Sequence, residues 1–228
     1  MNEYTVAEVA RKIDHAVLKP AMTVADVAKN ARMCVERGVG NMCVRPCDVE
    51  QATDLLRGSR TSVSMVVGFP HGSTLPEVKA FETARGLERG AIEFDMVMNV
   101  GRFLSGDHDF VRRDIEGVVE AAKAGRALVK VIFETGYLTL DQVADACRIA
   151  RDAGADFVKT STGFGEGQAT PEVIDVMVKT VGETMGVKAS GGIRSWEAAV
   201  GFLRQGCTRL GVGSTDIVLD GGQAQGGY

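Results

Sequence analysis

The stretch GRALVKVIF (Gly125–Phe133) contains the pattern that decides the fold of this chain. A segment with helical periodicity ends at the glycine, and an almost unbroken apolar run follows it at once. Glycine is favoured just past a helix end because it tolerates a left-handed backbone. A nearly continuous apolar run is typical of a parallel strand that is covered on both faces. The stretch therefore predicts a helix that is followed directly by a buried parallel strand.

The same junction recurs along the chain. Together with an initial strand, it predicts eight strands: Lys12–Leu18, Val39–Val44, Thr61–Val67, Ala91–Val97, Ala127–Phe133, Ala155–Val158, Val187–Ala189 and Thr208–Val212. Eight strand-then-helix units in 228 residues predict an α/β fold, a (β/α)8 TIM barrel with a short N-terminal helix over Met1–Arg11. An open doubly wound sheet is the alternative, which the unit count and the missing GxGxxG motif disfavour. We expect one barrel domain over residues 1–220 and a flexible glycine-rich C-terminal tail over residues 221–228.

The segments between the strands carry helix start signals. Thr74 stands three residues before Glu77, with Pro76 between them, and this spacing predicts a capping box. A threonine side chain at a helix start accepts a hydrogen bond from a backbone N–H of the first turn. Threonines also predict the N-terminal ends of the helical segments Thr23–Arg37, Thr139–Ala153 and Thr170–Val181.

Composition excludes several classes of protein. The formal net charge is -4, the isoelectric point is about 5.5, and no basic run occurs, so we expect no nucleic-acid partner. The N-terminus has no signal-peptide core, and no stretch reaches the roughly 18 apolar residues that a membrane span needs. The five scattered cysteines include no CxxC pair, which favours reduced thiols in a cytoplasmic protein over a disulfide frame or a metal site.

Charged residues interrupt the apolar strands at the ends where barrel enzymes carry their activity. They are three lysines and two aspartates: Lys130, Lys159, Lys188, Asp14 and Asp95. A lysine in an apolar strand is costly unless it is paired or neutral. The carboxyl ends of barrel strands converge on one volume, so we expect the five side chains to lie together. A structural ion pair is the alternative for any one of them alone.

The chemistry that suits this set is amine catalysis. A lysine nucleophile must be neutral, and both desolvation and a neighbouring cation lower its pKa. Lys159 and Lys188 lie on successive predicted strands at similar depth, so each is a candidate neighbour of the other. A nearby aspartate can transfer protons through water.

Glycine-rich segments follow the last three predicted strands. They contain Gly163 after the sixth strand, Gly191 and Gly192 after the seventh, and Ser214 after the eighth. Loops after strands seven and eight of barrels often hold an anion on backbone N–H groups. Tight turns are the alternative explanation for the glycines.

Several stretches resemble the deoxyribose-phosphate aldolase family. The run KTSTGF (Lys159–Phe164) resembles the active-site motif of that family and is highly specific, whereas SGGI (Ser190–Ile193) also occurs in other phosphate-binding barrels. The resemblance extends from about Ile13 to Leu219. Further similar runs are IDH (13–15), VGFP (67–70), VKAFE (78–82), EFDMV (93–97), VKVI (129–132) and VKASGGIR (187–194).

This resemblance implies a class I aldolase, a lyase without cofactor or metal. It implies reversible cleavage of 2-deoxy-D-ribose 5-phosphate to D-glyceraldehyde 3-phosphate and acetaldehyde, in deoxyribonucleotide and carbohydrate catabolism. By position, Lys159 would form the Schiff base, Lys188 would lower the pKa of Lys159, and Asp95 would assist proton transfer. The resemblance further implies that Asp14 and Lys130 complete the polar network, and that the substrate phosphate lies at Gly163, Gly191, Gly192 and Ser214.

Small sugar phosphates and aldehydes would be the binding partners. Because barrels of this class often form dimers, a homodimer is an open expectation.

Five positions depart from the family pattern: Ala16, Arg45, His71, Gly213 and Asp216. Lost hydroxyl donors weaken anion binding and an added acid repels an anion, so these residues bear on phosphate affinity. Arg45 is a candidate to compensate, and neutral drift is the alternative. The five departures also leave a second alternative, a divergent Schiff-base aldolase with a different acceptor aldehyde. A non-catalytic sugar-phosphate-binding barrel is a third alternative, which the presence of both a strand lysine and a strand aspartate disfavours.

The last residue, Tyr228, ends the glycine-rich tail. One hypothesis is that it folds into the mouth of the active site and assists proton transfer at the enamine. A disordered terminus is the alternative.

Overall fold

A computed structural model of the chain describes residues 4–225. Eight parallel strands form a closed barrel in chain order, and the first strand also pairs with the eighth. This closure confirms the predicted (β/α)8 barrel and excludes an open doubly wound sheet. The strands are β1 (Ile13–Val17), β2 (Asn41–Val44), β3 (Ser62–Val67), β4 (Glu93–Val97), β5 (Leu128–Ile132), β6 (Phe157–Lys159), β7 (Gly186–Ser190) and β8 (Arg209–Val212).

Helices occupy the connections between the strands, with the first helix before β1 and the last after β8. They are α1 (Val6–Lys12), α2 (Val24–Arg37), α3 (Val49–Leu56), α4 (Pro76–Glu88), α5 (Val100–Leu104), α6 (His108–Lys123), α7 (Leu140–Asp152), α8 (Pro171–Val181), α9 (Trp196–Arg204) and α10 (Thr215–Leu219). Helix α1 begins later than the predicted Met1–Arg11 because Thr5 and Glu8 form a capping box at its start.

The predicted helix starts are confirmed with one exception. Thr23 and Thr139 form capping boxes, and Thr170 accepts a hydrogen bond from the Val173 N–H. The capping box predicted for Thr74 is wrong, because α4 begins at Pro76 with Leu75 as its N-cap. A proline at the first helical position keeps the preceding residue extended and needs no N–H acceptor, which leaves Thr74 one residue too early.

The alternation of side chains along each strand separates an apolar layer from a charged barrel interior. On β4, Phe94 and Met96 belong to the large apolar cluster. Glu93 and Asp95 point the opposite way and form ion pairs with side chains of other strands. The strand period therefore positions the charged site within the barrel and the main core outside it.

The start of the glycine-rich tail lies against the barrel. The Ala224 N–H donates a hydrogen bond to the Arg194 carbonyl over 2.9 Å, and Ala224 is buried, where the sequence led us to expect a flexible segment. Tyr228 and the hypothesis about it lie outside the described residues. The division at residue 220 stays a prediction. Within residues 4–225, no helix combines the length and apolar character of a membrane span.

Candidate active site

Asp95 lies at the centre of the charged cluster in the barrel. Its Oδ2 atom accepts hydrogen bonds from Lys159 Nζ and from Lys188 Nζ, both over 2.7 Å. Its Oδ1 atom accepts one from Lys130 Nζ over 2.9 Å. All four side chains are buried, and Lys159 is 2% exposed. The structure thus brings together four of the five charged residues that the sequence singled out.

Asp14 joins the same cluster from β1. Its Oδ2 atom lies 2.5 Å from Lys188 Nζ and 3.4 Å from Lys130 Nζ. Lys159 and Lys188 are paired in the β6–β7 register, which confirms that they lie at similar depth. All five predicted side chains therefore form one ion-paired group at the centre of the barrel.

Two further charged residues belong to this group, and the sequence did not reveal them as site residues. Arg209 Nη1 lies 2.7 Å from Asp14 Oδ1, and Arg209 Nη2 lies 3.1 Å from Glu93 Oε1. Glu93 Oε2 is in turn 2.5 Å from Lys130 Nζ. The strand period is the signal that could have identified Glu93, because it stands two residues before Asp95 and so shares its face. The register places Arg209 beside Lys188, which local sequence does not reveal.

The three lysines differ in the number of carboxylates that they contact. Among the described residues, Lys159 has one carboxylate partner, Lys188 has two and Lys130 has three. Burial lowers the pKa of Lys159, Asp95 opposes this effect, and the Lys188 cation lowers the pKa further. Lys188 therefore contributes to the lowered pKa of Lys159, but burial contributes more.

The other buried charges are held in their ionised forms. Burial acts against the charge of Lys188 and of Lys130, but their carboxylate partners outweigh it and raise the pKa of each above its usual value. Burial likewise opposes ionisation of Asp14 and Asp95, and the lysines still hold the pKa of both carboxyls well below the usual range. The site therefore contains one lysine whose pKa is lowered by burial, among neighbours whose charged forms are favoured.

The loop that follows Lys159 is tied to the end of β5 through Glu134. Its Oε2 atom accepts hydrogen bonds from the Thr162 N–H, over 3.2 Å, and from the Thr162 hydroxyl. The Thr162 hydroxyl accepts a hydrogen bond from the Phe164 N–H over 3.0 Å. The Phe164 ring packs edge-on against Phe69 at 5.3 Å, so the loop also reaches the loop after β3. The sequence suggested no role for Glu134 beyond its place at a strand end.

The residues predicted at the phosphate lie in the loops after β6, β7 and β8. Gly163, Gly191 and Gly192 all have left-handed backbone conformations, with φ of 84°, 89° and 78°. The positive φ of Gly192 disfavours any residue with a side chain, and a Cβ there would also displace the Gln168 side chain, whose Oε1 would lie 2.2 Å away. Ser214 precedes α10, and its hydroxyl makes no capping hydrogen bond.

The hydrogen bonds of Arg45 are made to groups other than the loops in which the phosphate is predicted. Its Nε atom donates to Asp48 over 2.6 Å. Its two terminal nitrogens donate to the carbonyls of Lys19, Pro20 and Met22, each over 3.0 Å. The guanidinium is therefore committed to holding the loop between β1 and α2.

The other departures from the family pattern lie around the barrel mouth. Ala16 belongs to a small apolar cluster with Leu18, Cys43 and Val66, against which Phe69 packs. His71 is exposed in the loop after β3. Gly213 and Asp216 line a separate cavity of about 320 Å³ that also contains His15. Between residues 4 and 225, no group of three or more His, Cys, Asp or Glu side chains is arranged to hold a metal ion.

Comparison with known proteins assigns this site to a family. The family model described as "DeoC/LacD family aldolase" matches residues 9–206. The deoxyribose-phosphate aldolase of Clostridium perfringens is 47% identical over 214 residues, which cover 94% of this chain and 95% of that enzyme. The enzyme of the same name from Streptococcus gordonii is 48% identical over 216 residues, 95% of this chain and 97% of that one.

A solved structure agrees with these matches. The deoxyribose phosphate aldolase of Aeropyrum pernix, described as a tetramer, superposes with a TM-score of 0.88 at 33% identity. The superposition covers 95% of this chain and 91% of the other. Family model, sequence identity and fold agree over nearly the whole length of the barrel. The chain therefore belongs to the DeoC/LacD family of aldolases.

Proposed function

We propose that this aldolase reversibly cleaves 2-deoxy-D-ribose 5-phosphate to D-glyceraldehyde 3-phosphate and acetaldehyde, with Lys159 as the Schiff-base nucleophile. The observation that carries the proposal is the position of Lys159, which is buried, contacts a single carboxylate among residues 4–225 and lies beside the Lys188 cation. A neutral amine is required for attack on a carbonyl, and these surroundings favour the neutral amine.

In the first half of the reaction, the neutral Lys159 amine attacks the C1 aldehyde carbon of the open-chain sugar. The hydroxyl of the carbinolamine takes up a proton and leaves as water, which gives a protonated imine. Asp95 lies 2.7 Å from the Lys159 nitrogen, and it is placed to guide the proton transfers of these steps, directly or through water. Lys188 and Lys130 keep Asp95 ionised, and Asp14 keeps Lys188 charged.

In the second half, the C3 hydroxyl gives its proton to water as the C2–C3 bond breaks, and water returns a proton for the later protonation at C2. The bond electrons move to C2, so that the imine becomes an enamine and D-glyceraldehyde 3-phosphate leaves. Protonation at C2 and addition of water then release acetaldehyde and the free Lys159 amine. The two-carbon product thus remains on the lysine until hydrolysis, which makes the intermediate accessible to chemical trapping.

For the phosphate we propose the backbone N–H groups around Gly163, Gly191 and Gly192, together with Ser214. The left-handed glycines of the first two loops and the short helix that follows Ser214 support this position. The loops stand at the carboxyl ends of β6, β7 and β8, the same end at which Lys159 lies.

A divergent aldolase with a different acceptor aldehyde is the second candidate. The hydrogen bonds of Arg45 to Asp48 and to the loop between β1 and α2 favour it, because this guanidinium is then not available to compensate for a lost hydroxyl at Gly213. Cleavage rates on 2-deoxyribose with and without its 5-phosphate separate the two candidates. A strong preference for the phosphorylated sugar supports the first candidate, and equal rates support the second.

Borohydride trapping tests the proposal directly. The protein is incubated with 2-deoxyribose 5-phosphate, reduced, digested and mapped by mass spectrometry. We expect a reduced two-carbon adduct on Lys159, and its absence in Lys159→Met together with a loss of about 10³-fold or more in turnover. An adduct on Lys188 would instead exchange the roles of the two lysines. No adduct with either this sugar phosphate or acetaldehyde would overturn the proposal.

We propose that the chain forms a homodimer in the cytoplasm. Reduced cysteines support the compartment, since all five are free, and subcellular fractionation tests it. An exposed apolar strip on α4, made of Leu75, Val78 and Phe81, supports self-association. Val78 and Phe81 line a cavity of about 570 Å³ together with side chains of both charges, which suits a self-complementary contact. The charged side chains are Glu50, Glu82, Arg85 and Arg89.

A further inference from the structure

The barrel interior contains one more basic group than acidic groups. Four basic side chains meet there, from β5, β6, β7 and β8, and three carboxylates meet them from β1 and β4. All seven side chains are linked by ion pairs of 3.4 Å or less among the described residues: Lys130, Lys159, Lys188 and Arg209 with Asp14, Glu93 and Asp95. If every group were charged, the buried network would carry a net positive charge, which is costly in a low-dielectric interior.

We infer that Arg209 and Glu93 are positioning residues that set the protonation state of Lys159 from the far side of this network. The inference deepens the proposed function, because it rests on Lys159 being the nucleophile. Neither residue contacts Lys159 in the described structure, so both act through the carboxylates and lysines between them.

Arg209 occupies carboxylate oxygens that the lysines would otherwise use. It binds Asp14 Oδ1 and Glu93 Oε1, while Lys188 and Lys130 take the remaining oxygens of the same two carboxylates. Asp95 is then the one carboxylate left for Lys159, and Lys159 shares it with both other lysines. Each other lysine that binds Asp95 weakens the stabilisation that this carboxylate gives to the protonated form of Lys159.

Because residue 209 is an arginine, the group that loses the excess proton is one of the lysines. A guanidinium does not give up its proton in proteins, so the neutral member of the network must be a lysine. Lys159 has the fewest carboxylate partners and therefore loses its proton at least cost. The Arg209 side chain is 21% exposed, at the start of β8, so it supplies a permanent charge from the edge of the network.

Glu93 has the opposite effect to Arg209 on the protonation of Lys159. Its carboxylate adds a negative charge to the network through Arg209 and Lys130 and so favours retention of protons by the lysines. Burial has the largest effect on the pKa of Lys159, followed by Asp95, Lys188 and Cys43. Side chains on seven surrounding strands form the interior around this network. They are Asp14 on β1, Cys43 on β2, the uncharged Ser64 on β3, Glu93 and Asp95 on β4, Lys130 on β5, Lys188 on β7 and Arg209 on β8.

The test is the pH dependence of imine trapping, with acetaldehyde and cyanoborohydride as probes and mass spectrometry of the Lys159 peptide as the readout. Trapping slows as the pH falls, because Lys159 becomes protonated. This falling part of the pH profile is its acid limb. At a pH on this acid limb, we expect Arg209→Met to lower the trapping rate roughly threefold or more, with the limb displaced to higher pH. We expect Glu93→Gln to raise the rate and to displace the limb to lower pH.

Two controls separate the electrostatic role from a structural one. Arg209→Lys keeps a positive charge but places there an ammonium that can lose its proton, so the limb should lie between those of the unmodified protein and Arg209→Met. The double variant Arg209→Met/Glu93→Gln removes one charge of each sign and should bring the limb back toward that of the unmodified protein. A merely structural role would slow trapping in both single variants, without displacements of opposite sign. Glu93→Gln changes one atom of the side chain, so it decides the question if Arg209→Met does not fold.

The outcomes distinguish this inference from the proposed function. If the unmodified protein forms no Lys159 adduct, the proposed function fails. If it forms the adduct and the acid limb stays in place in Glu93→Gln and Arg209→Met, or moves the same way in both, the inference about Arg209 and Glu93 is wrong while the proposed function stands.

Discussion

Lys159 and Lys188 donate hydrogen bonds to the same oxygen of Asp95, each over 2.7 Å. The two ammonium groups compete for one acceptor atom. Lys188 has a second carboxylate partner in Asp14, whereas Asp95 is the one carboxylate partner of Lys159 in the described part of the chain. Burial and this competition lower the pKa of Lys159 and leave Lys188 charged. The difference between two chemically identical side chains therefore comes from their carboxylate partners.

We expect Lys188→Met to move the acid limb of kcat/KM to higher pH. The Lys188 cation lowers the pKa of Lys159, so its removal raises that pKa, and the neutral amine is then lost at a higher pH as the solution is acidified. A pH profile of kcat/KM measures the change. Lys123→Met, which removes an exposed lysine that pairs with Glu120, should leave the profile in place. An unmoved limb in Lys188→Met would contradict the assigned role.

We expect Asp95→Asn to reduce turnover about 10²-fold or more, because the amide cannot accept and return protons beside the Lys159 nitrogen. Deuterium exchange at the methyl group of acetaldehyde, which reports enamine formation, should fall with turnover. The matched control is Asp145→Asn, which removes an exposed carboxylate that pairs with Arg148. Retained exchange in Asp95→Asn would show that another group moves the protons.

We expect Glu134→Ala to loosen the loop that follows Lys159 and to raise KM for the phosphorylated sugar about tenfold, with a smaller effect on kcat. The substitution removes the acceptor of the Thr162 N–H and hydroxyl, and the loss of a buried acceptor costs about 1–3 kcal/mol. Steady-state kinetics measure the effect. Glu134→Gln keeps a carbonyl oxygen for Thr162 and should recover most of the affinity; a KM equal to that of Glu134→Ala would contradict this explanation.

We expect Lys79→Met to destabilise the fold by about 3–5 kcal/mol, because it leaves Asp114 buried without its charge partner. Lys79 Nζ also donates to the Val97 carbonyl over 2.9 Å, so the pair links α4 and α6 to the end of β4. Urea unfolding measures the free energy. The double variant Lys79→Met/Asp114→Leu should recover much of the loss, and a double variant no more stable than the single one would refute this account.

We expect Phe81→Glu to convert a dimer into a monomer. The Phe81 side chain is 67% exposed on α4 within the apolar strip, and a carboxylate there would be buried in the contact between two copies. Light scattering coupled to size-exclusion chromatography measures the mass. Leu140→Glu changes an exposed leucine at the start of α7 and serves as the control. An unchanged mass in Phe81→Glu would remove α4 from the contact.

Much of the fold could be predicted because its signals are local. Gly38 marks the end of α2 with a φ of 65°, and the apolar run after it becomes β2. The Thr74 capping box failed for an equally local reason, since Pro76 takes the first helical position one residue later than the spacing suggested. Strand ends deviate by one or two residues because pairing with neighbouring strands decides where each ladder stops.

The amino-acid sequence by itself determined the eight alternating units and the type of residue, lysine and aspartate, that enters the barrel. These features depend on strand period, glycine conformation and side-chain chemistry, which act over a few residues. The tertiary structure alone decided that Arg209 and Glu93 share the network and that Lys159 has the fewest carboxylate partners. Lys159 and Asp95 are 64 positions apart, and Lys188 and Asp14 are 174 apart. A lysine pKa depends on burial and on the charges within a few ångströms, and only the closed barrel brings those charges together.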